Sequence, residues 1–310
     1  MKKFSDYLEE AGVDYGLYGV LNSLKDVVAR VSDFIKTADS SFQGSKNIFG
    51  EEQLKLDVAA DKFVQEEMKK NSLIGLIASE ELPEEMDVSN KDTGGGEFAV
   101  AYDPLDGSSL VDVNLAVGSI FGVYKMPNSK GARSFVGVKG DDQLASMLAI
   151  YGPRTTIVLT VKKGVAEFLL DDGEFILVRD DIKVSGGKMF APGNLRACAS
   201  RPDYLDLVTY WCKEQYTLRY SGGMVPDVNQ ILLKGKGIFS YPGYGDVPDG
   251  KLRLLFECAP MALLMEQAGG AATDGKMRIL EKELLKIDQR TPIFIGSKEE
   301  VKRCEDFLSR

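Results

Sequence analysis

Two carboxylates, Asp103 and Asp106, stand three residues apart in Tyr102-Asp103-Pro104-Leu105-Asp106-Gly107-Ser108-Ser109, directly after the apolar run Phe98-Ala99-Val100-Ala101. That run reads as a buried strand. Carboxylates at its end are costly to desolvate unless a cation neutralises them. Hard oxygen donors of this kind suit Mg2+, which is held by a few carboxylates together with substrate phosphate. The Gly107-Ser108-Ser109 turn that follows offers backbone N–H groups and two hydroxyls to an anion. Cation and anion sites side by side predict metal-assisted phosphoester chemistry. The competing reading, a solvated acidic turn, does not account for the apolar strand before it.

Further acids fall where they could join this pair. Glu80 and Glu81 follow a short apolar stretch over residues 73–78. Alone they read as an exposed or capping pair, but strands of α/β sheets gather ligands at their carboxyl ends. Three or four carboxylates there would repel one another unless divalent cations sat between them. Glu51 and Asp57 lie near the start of a helical pattern, where favourable dipole electrostatics alone could place an acid. Asp61 reads as structural. Glu257, between Phe256 and Cys258, needs a partner if buried, and the residues leave open whether that partner is a metal or an arginine. Arg196, Arg219, Tyr220, Tyr241, Lys251 and Arg253 could contact phosphate, although isolated Lys and Arg usually serve solubility.

Composition narrows the chemistry. Histidine is absent from all 310 residues, which excludes phosphohistidine intermediates, Ser-His-Asp hydrolysis and His-ligated zinc. Acid–base work falls to carboxylates, Lys, Tyr or metal-bound water. A formal charge of −9 argues against nucleic acid or an anionic membrane as partner. Cys198, Cys212, Cys258 and Cys304 form no CxxC pair, and read as thiols of a reduced intracellular protein. No apolar stretch reaches the ~18 residues of a membrane span, and Met1-Lys2-Lys3-Phe4-Ser5-Asp6 has no signal-peptide core. The cytoplasm is the expected location, with a plastid open if a transit peptide has been removed.

The elements that must position these groups follow from periodicity. Residues 7–37 carry Leu21, Leu24, Val27, Val28, Val31, Phe34 and Ile35 at helical spacing. Residues 40–49 read as a polar loop, and 51–70 as a second helix with Leu54, Val58, Phe63, Val64 and Met68 on one side. Strands are predicted over 118–124, 155–161 and 166–170. The loop Ser185-Gly186-Gly187 marks a boundary between an N-terminal metal-binding part (1–184) and a C-terminal α/β part (185–310). Beyond it, 204–214 and 253–268 read as helices, 237–241 and 293–296 as strands. The expected class is α/β, with alternating helix and mixed-sheet layers in two lobes.

With these motifs in place, the chain resembles the class I fructose/sedoheptulose bisphosphatases, within the wider lithium-sensitive, inositol-monophosphatase-like superfamily. The resemblance runs from roughly residue 20 to the C-terminus, through Glu80-Glu81, the Asp103–Ser109 motif, Lys251-Leu252-Arg253-Leu254-Leu255 with Glu257, and Ala268-Gly269-Gly270 in family order. Three stretches look like the sedoheptulose branch: Tyr151-Gly152-Pro153-Arg154-Thr155-Thr156, Met189-Phe190-Ala191-Pro192-Gly193-Asn194-Leu195-Arg196, and Leu218 through Gln230. Fructose enzymes usually carry Tyr at the position of Ala197 and Ser at that of Gly223. Both differences remove bulk from a sugar pocket, which suits a substrate one carbon longer. Plant sedoheptulose enzymes carry a redox cysteine pair where Ser40 and Ser45 stand, so that disulfide switch is chemically excluded. The AMP-site pattern of fructose enzymes is not recognisable in residues 1–40.

The resemblance implies that Glu80, Glu81, Asp103, Asp106, Glu257 and the Leu105 carbonyl hold two or three Mg2+, with Mn2+ able to substitute. It implies that Glu51 and Glu81 orient or deprotonate the attacking water and that Asp57 is a further base or an outer-shell ligand. Amides of Gly107, Ser108 and Ser109 would face the phosphoryl oxygens. Asn194, Arg196, Tyr220, Tyr241 and Lys251 would hold the sugar and distal phosphate, and Arg219 would reach in from a neighbouring subunit of a homodimer or homotetramer. The implied reaction removes the 1-phosphate of sedoheptulose 1,7-bisphosphate. Fructose 1,6-bisphosphate is the alternative substrate, and an inositol-phosphate-type phosphatase is less favoured.

Overall fold

The computed structural model describes residues 1–37, 42–46, 52–89, 95–129 and 131–309. The helical pattern of 7–37 resolves into two helices, Phe4–Glu10 and Tyr15–Ile35. Gly12 adopts a left-handed φ of 62° between them, a conformation a Cβ disfavours. Asp14 then caps the second helix, its carboxylate accepting the N–H groups of Gly16 and Leu17 at 3.0 and 3.1 Å. The stretch expected as a loop over 40–49 contains a strand, Phe42–Lys46, antiparallel to Glu52–Leu54. The following helix is therefore Lys55–Lys70 rather than 51–70. Glu51 and Ser40 lie outside the described residues.

Two mixed sheets form the frame. The larger has eight strands in the order Glu174–Arg179, Ala166–Asp171, Thr155–Thr160, Gln143–Tyr151, Val117–Lys125, Phe98–Asp106, Ile74–Ser79, Met86–Asp87. Only Ile74–Ser79 and Phe98–Asp106 run parallel, so their carboxyl ends, carrying Glu80-Glu81 and Asp103, emerge side by side. The smaller sheet orders Thr217–Leu218, Met189–Pro192, Ile238–Tyr241, Ile293–Gly296 and Ala271–Thr273, the first three parallel and the last two antiparallel to their neighbours.

Side-chain alternation sorts the core into five layers. Along Phe98–Asp106, Phe98, Val100 and Tyr102 face helices Tyr15–Ile35 and Lys55–Lys70, while Ala99 and Ala101 face the other way. That other face packs on Val225, Val228, Ile231 and Leu232 of helix Met224–Lys234 and on Met261 to Met265 of helix Ala259–Gln267, which in turn cover Phe239, Ile293 and Ile295 of the smaller sheet. The smaller sheet's outer face buries Phe190, Ile238 and Phe294 against Tyr204, Leu207 and Trp211 of helix Pro202–Lys213, and Val301 and Cys304 of helix Lys298–Leu308. A sheet covered on both faces explains why its strands read as nearly continuous apolar runs.

One close approach matters to the site. A Cβ on Gly118 would lie 2.2 Å from the Ala149 carbonyl oxygen and 2.3 Å from Cγ1 of Val225. Glycine there lets helix Met224–Lys234 press its first turn onto the sheet opposite Asp106, the register partner of Gly118. Gly118→Ala is expected to destabilise the protein by roughly 1–3 kcal/mol through overpacking and to lower turnover together with the melting temperature. Thermal denaturation with an unshifted midpoint would contradict this.

Candidate active site

The Asp103/Asp106 pair owes its geometry to a β-bulge. In a regular strand, residues three apart face opposite sides. Here Asp103 pairs with Ile120 and Asp106 with Gly118, so one extra residue is accommodated between them and the strand is re-aimed. Pro104 sits in the bulge, and its carbonyl accepts the Ser119 hydroxyl at 2.7 Å, itself 2.9 Å from the Tyr151 hydroxyl. The Leu105 N–H donates to Asp103 Oδ1 at 2.9 Å, while the Leu105 side chain is buried in the core.

Three carboxylates from three distant segments meet beside this bulge. Oxygens of Glu80, Asp103 and Glu257 lie within 4.8 Å of one another. Glu257 is placed by a π-helical turn, Leu254–Cys258, that precedes helix Ala259–Gln267. The extra residue of such a turn commonly marks a functional position. The residues had left a metal and an arginine open as the partner of Glu257, and the structure shows Arg253 in two roles. Its backbone N–H donates to Glu257 Oε2 at 2.6 Å, and its guanidinium to Glu80 Oε1 at 2.5 Å. Asp106 approaches from the bulge, with Oδ2 accepting the Val225 N–H at 2.7 Å from the first turn of helix Met224–Lys234.

Glu80, Asp106 and Glu257 line a cleft of about 380 Å³, whose wall also includes Gly107, Ser109, Tyr220, Gly222, Tyr241 and Lys251, while Asp103 is buried next to Glu80 and Glu257. Burial, then the charges of Glu80, Asp106 and Glu257, hold the Asp103 carboxyl well above its ordinary range. Burial, then Glu80, does the same to Glu257. Burial raises Asp106 to about 7 against the opposing Val225 N–H. Acids this crowded and dry accept full ionisation only beside added positive charge. The donor set is hard oxygen throughout, which fits Mg2+ or Mn2+ and argues against softer metals.

The remaining expected residues distribute around this centre. Gly107, at a left-handed φ of 76°, opens the 3₁₀ helix Ser108–Val113, in which the Ser108 and Ser109 amides precede the first helical bond, from the Leu110 N–H to the Gly107 carbonyl at 2.8 Å. The Ser108 hydroxyl donates to Asp57 Oδ2 at 3.1 Å, which ties helix Lys55–Lys70 to the bulge. The Glu81 N–H donates to Ser79 Oγ at 3.2 Å, but the Glu81 side chain is not among those lining the cleft. Tyr241 is pushed up to about 12 by burial, then by Tyr220, Tyr244 and Glu257, with Arg196 acting oppositely. Arg196 is exposed and lies outside the cleft lining. Asn194 adopts a left-handed φ of 56° and turns its backbone N–H toward the Tyr220 hydroxyl. Arg219 is exposed and lies outside the cleft lining.

Two contributors escaped the sequence reading as site residues. Arg253 stood in view among the basic groups, and its alternation with Lys251 across an apolar segment was the available signal. Asp227 is fully buried and accepts the Ser221 N–H with both oxygens at 2.9 and 3.1 Å, fixing the Gly222-Gly223 wall. Nothing local in the sequence distinguishes it from a helix-dipole acid.

Known proteins resemble the chain over nearly its whole length. The family description "Fructose-1-6-bisphosphatase, N-terminal domain" matches residues 3–180, and "Fructose-1-6-bisphosphatase, C-terminal domain" matches 184–309. The chain is 45% identical over 306 residues to the chloroplastic sedoheptulose-1,7-bisphosphatase of Triticum aestivum, covering 98% of this chain and 76% of that one. It is 44% identical over 309 residues to the class 1 fructose-1,6-bisphosphatase of Trichlorobacter lovleyi, covering 99% and 95% respectively. The solved structure of Leishmania major fructose-1,6-bisphosphatase in holo form superposes with a TM-score of 0.93 at 32% identity, covering 99% of each chain.

The raised carboxyls make a pH prediction. The folded state holds protons on Asp103, Asp106 and Glu257 that the unfolded chain releases near pH 4. Their stabilising contribution is complete below that range and lost as pH climbs toward about 7, the value for Asp106. In EDTA the melting temperature should therefore fall between about pH 5.5 and about pH 7.5, and saturating Mg2+ should restore it at the higher pH. A melting temperature indifferent to both pH and Mg2+ would count against the cluster.

Proposed function

Because the chain belongs to the fructose-1,6-bisphosphatase family and is a sugar-bisphosphate phosphatase, a phosphoric monoester hydrolase, we propose that it removes the 1-phosphate of sedoheptulose 1,7-bisphosphate in a Mg2+-dependent reaction. The observation that carries the substrate assignment is the likeness of residues 151–156, 189–196 and 218–230 to the sedoheptulose branch, together with the 45% identity to a chloroplastic sedoheptulose-1,7-bisphosphatase. A Cβ on Gly223 would meet Leu110 Cδ1 at 3.1 Å and Pro226 at 3.2 Å, so glycine there keeps the cleft wall close-packed. Fructose 1,6-bisphosphate is the second reading, favoured by the near-equal identity to a class 1 fructose-1,6-bisphosphatase.

Glu80, Glu81, Asp103, Asp106, Glu257 and the Leu105 carbonyl would hold the divalent ions, which would supply positive charge to phosphate oxygens and lower the pKa of a bound water. In this reading Asp57 and Glu81 orient the water and take its proton, with Glu51 assisting. The first-turn amides of Ser108 and Ser109, with that of Gly107, face charge developing on the phosphoryl oxygens. Tyr220, Tyr241 and Lys251 on the cleft wall, with Asn194 and Arg196 nearby, hold the sugar and distal phosphate. The exposed Leu218 and Arg219 suit a contact with a second copy of the chain. Cys198, Cys212, Cys258 and Cys304 are all free thiols, which suits the cytoplasm.

Steady-state kcat/KM on sedoheptulose 1,7-bisphosphate and fructose 1,6-bisphosphate with Mg2+ tests the substrate assignment. The seven-carbon substrate should be preferred, and a preference for the six-carbon one would overturn the assignment while leaving the bisphosphatase chemistry. Lys251→Ala should raise KM about tenfold with kcat within about twofold, because distal-phosphate contact is uniform binding. An unchanged KM would remove Lys251 from the substrate site.

A further inference from the structure

Two buried polar residues beside the site have no part in the chemistry above. Tyr102, immediately before Asp103, is fully buried, and its hydroxyl donates to Asp61 Oδ1 at 2.9 Å. Asp61 is buried on helix Lys55–Lys70, and its other oxygen accepts Gln65 Nε2 at 2.6 Å. Burial and the Asp61 charge hold the Tyr102 hydroxyl well above its ordinary value, so it remains a donor at neutral pH. Ser79, the register partner of Tyr102 on the neighbouring parallel strand, accepts the Glu81 N–H at 3.2 Å.

Asp57 and Asp61 are four residues apart, hence on one face of the helix. Asp57 accepts the Ser108 hydroxyl and Asp61 the Tyr102 hydroxyl. These two pegs bracket the Asp103-to-Gly107 bulge. With one removed, the helix can pivot about the other.

We propose that Tyr102 is a positioning residue, whose bond to Asp61 sets helix Lys55–Lys70, and with it Asp57, against the strand that ends in Asp103. The proposal rests on the reading of Asp57 as a base in the hydrolysis. Displacing a positioned group by a fraction of an ångström to an ångström costs from a few fold to about a hundredfold in rate. The cost appears in kcat, since Tyr102 is away from the cleft wall that binds the sugar.

Tyr102→Phe deletes only the hydroxyl and keeps the ring packed on Phe121, whose centroid is 6.2 Å away. It should lower kcat about tenfold with KM for the sugar bisphosphate unchanged. It should also speed amide hydrogen exchange across Lys55–Lys70 without affecting the smaller sheet. Asp61→Ala should behave the same way, the double variant should be no worse than either single one, and Asp61→Asn, which keeps an acceptor for the Tyr102 hydroxyl, should retain most of the rate. Wild-type kcat in Tyr102→Phe, or exchange unchanged across Lys55–Lys70, overturns the proposal. Hydrogen exchange needs no turnover, so it decides the positioning role even if the wild-type protein hydrolyses neither sugar bisphosphate, a result that would sink the functional reading separately.

Discussion

Mutual repulsion among buried carboxylates is the constraint around which this molecule is arranged. Glu80, Asp103 and Glu257 bring oxygens within 4.8 Å of one another, and Asp106 adds a fourth charge on the cleft that Glu80 and Glu257 line. Arg253 neutralises part of that charge through Glu80. Burial and mutual repulsion push the carboxyls of Asp103, Asp106 and Glu257 upward, toward the protonated form. A fold optimised for stability alone would replace such a cluster with apolar side chains. Retaining it makes sense when divalent cations and a phosphate complete the charge balance.

The scaffold is specialised at the points where it delivers these acids. A parallel strand pair aligns Glu80-Glu81 with Asp103. A bulge at Pro104 turns Asp106 to the side of Asp103, and a π-turn re-aims Glu257. Gly118 then admits the helix whose Val225 amide holds Asp106. The bulge and the π-turn each depart from regular geometry by one residue.

Much of this was legible in the sequence because it is local. An apolar run ending in Asp-Pro-Leu-Asp-Gly-Ser-Ser announces both a buried strand and charges that need neutralising, and strand Ile293–Gly296 was placed to the residue. The misreadings have physical causes. Gly12 splits one helical pattern into two helices, and the Phe42–Lys46 strand lacks apolar alternation because its sequence is Phe-Gln-Gly-Ser-Lys. Helix Met224–Lys234 was hidden by the glycines before it and by Pro226 in its first turn, a position where proline is tolerated. Asp61 looked structural because its partner Tyr102 is 41 residues away, and no spacing rule reaches that far. Arg253 and Asp227 likewise acquire meaning only from the layers that fold onto them.

Anomalous diffraction from crystals grown with Mn2+ tests the central claim most directly. The account predicts metal peaks between Glu80, Asp103 and Glu257, with the Arg253 guanidinium displaced from Glu80. A metal-saturated crystal with no peak among those three carboxylates, and Arg253 still paired with Glu80, would contradict it.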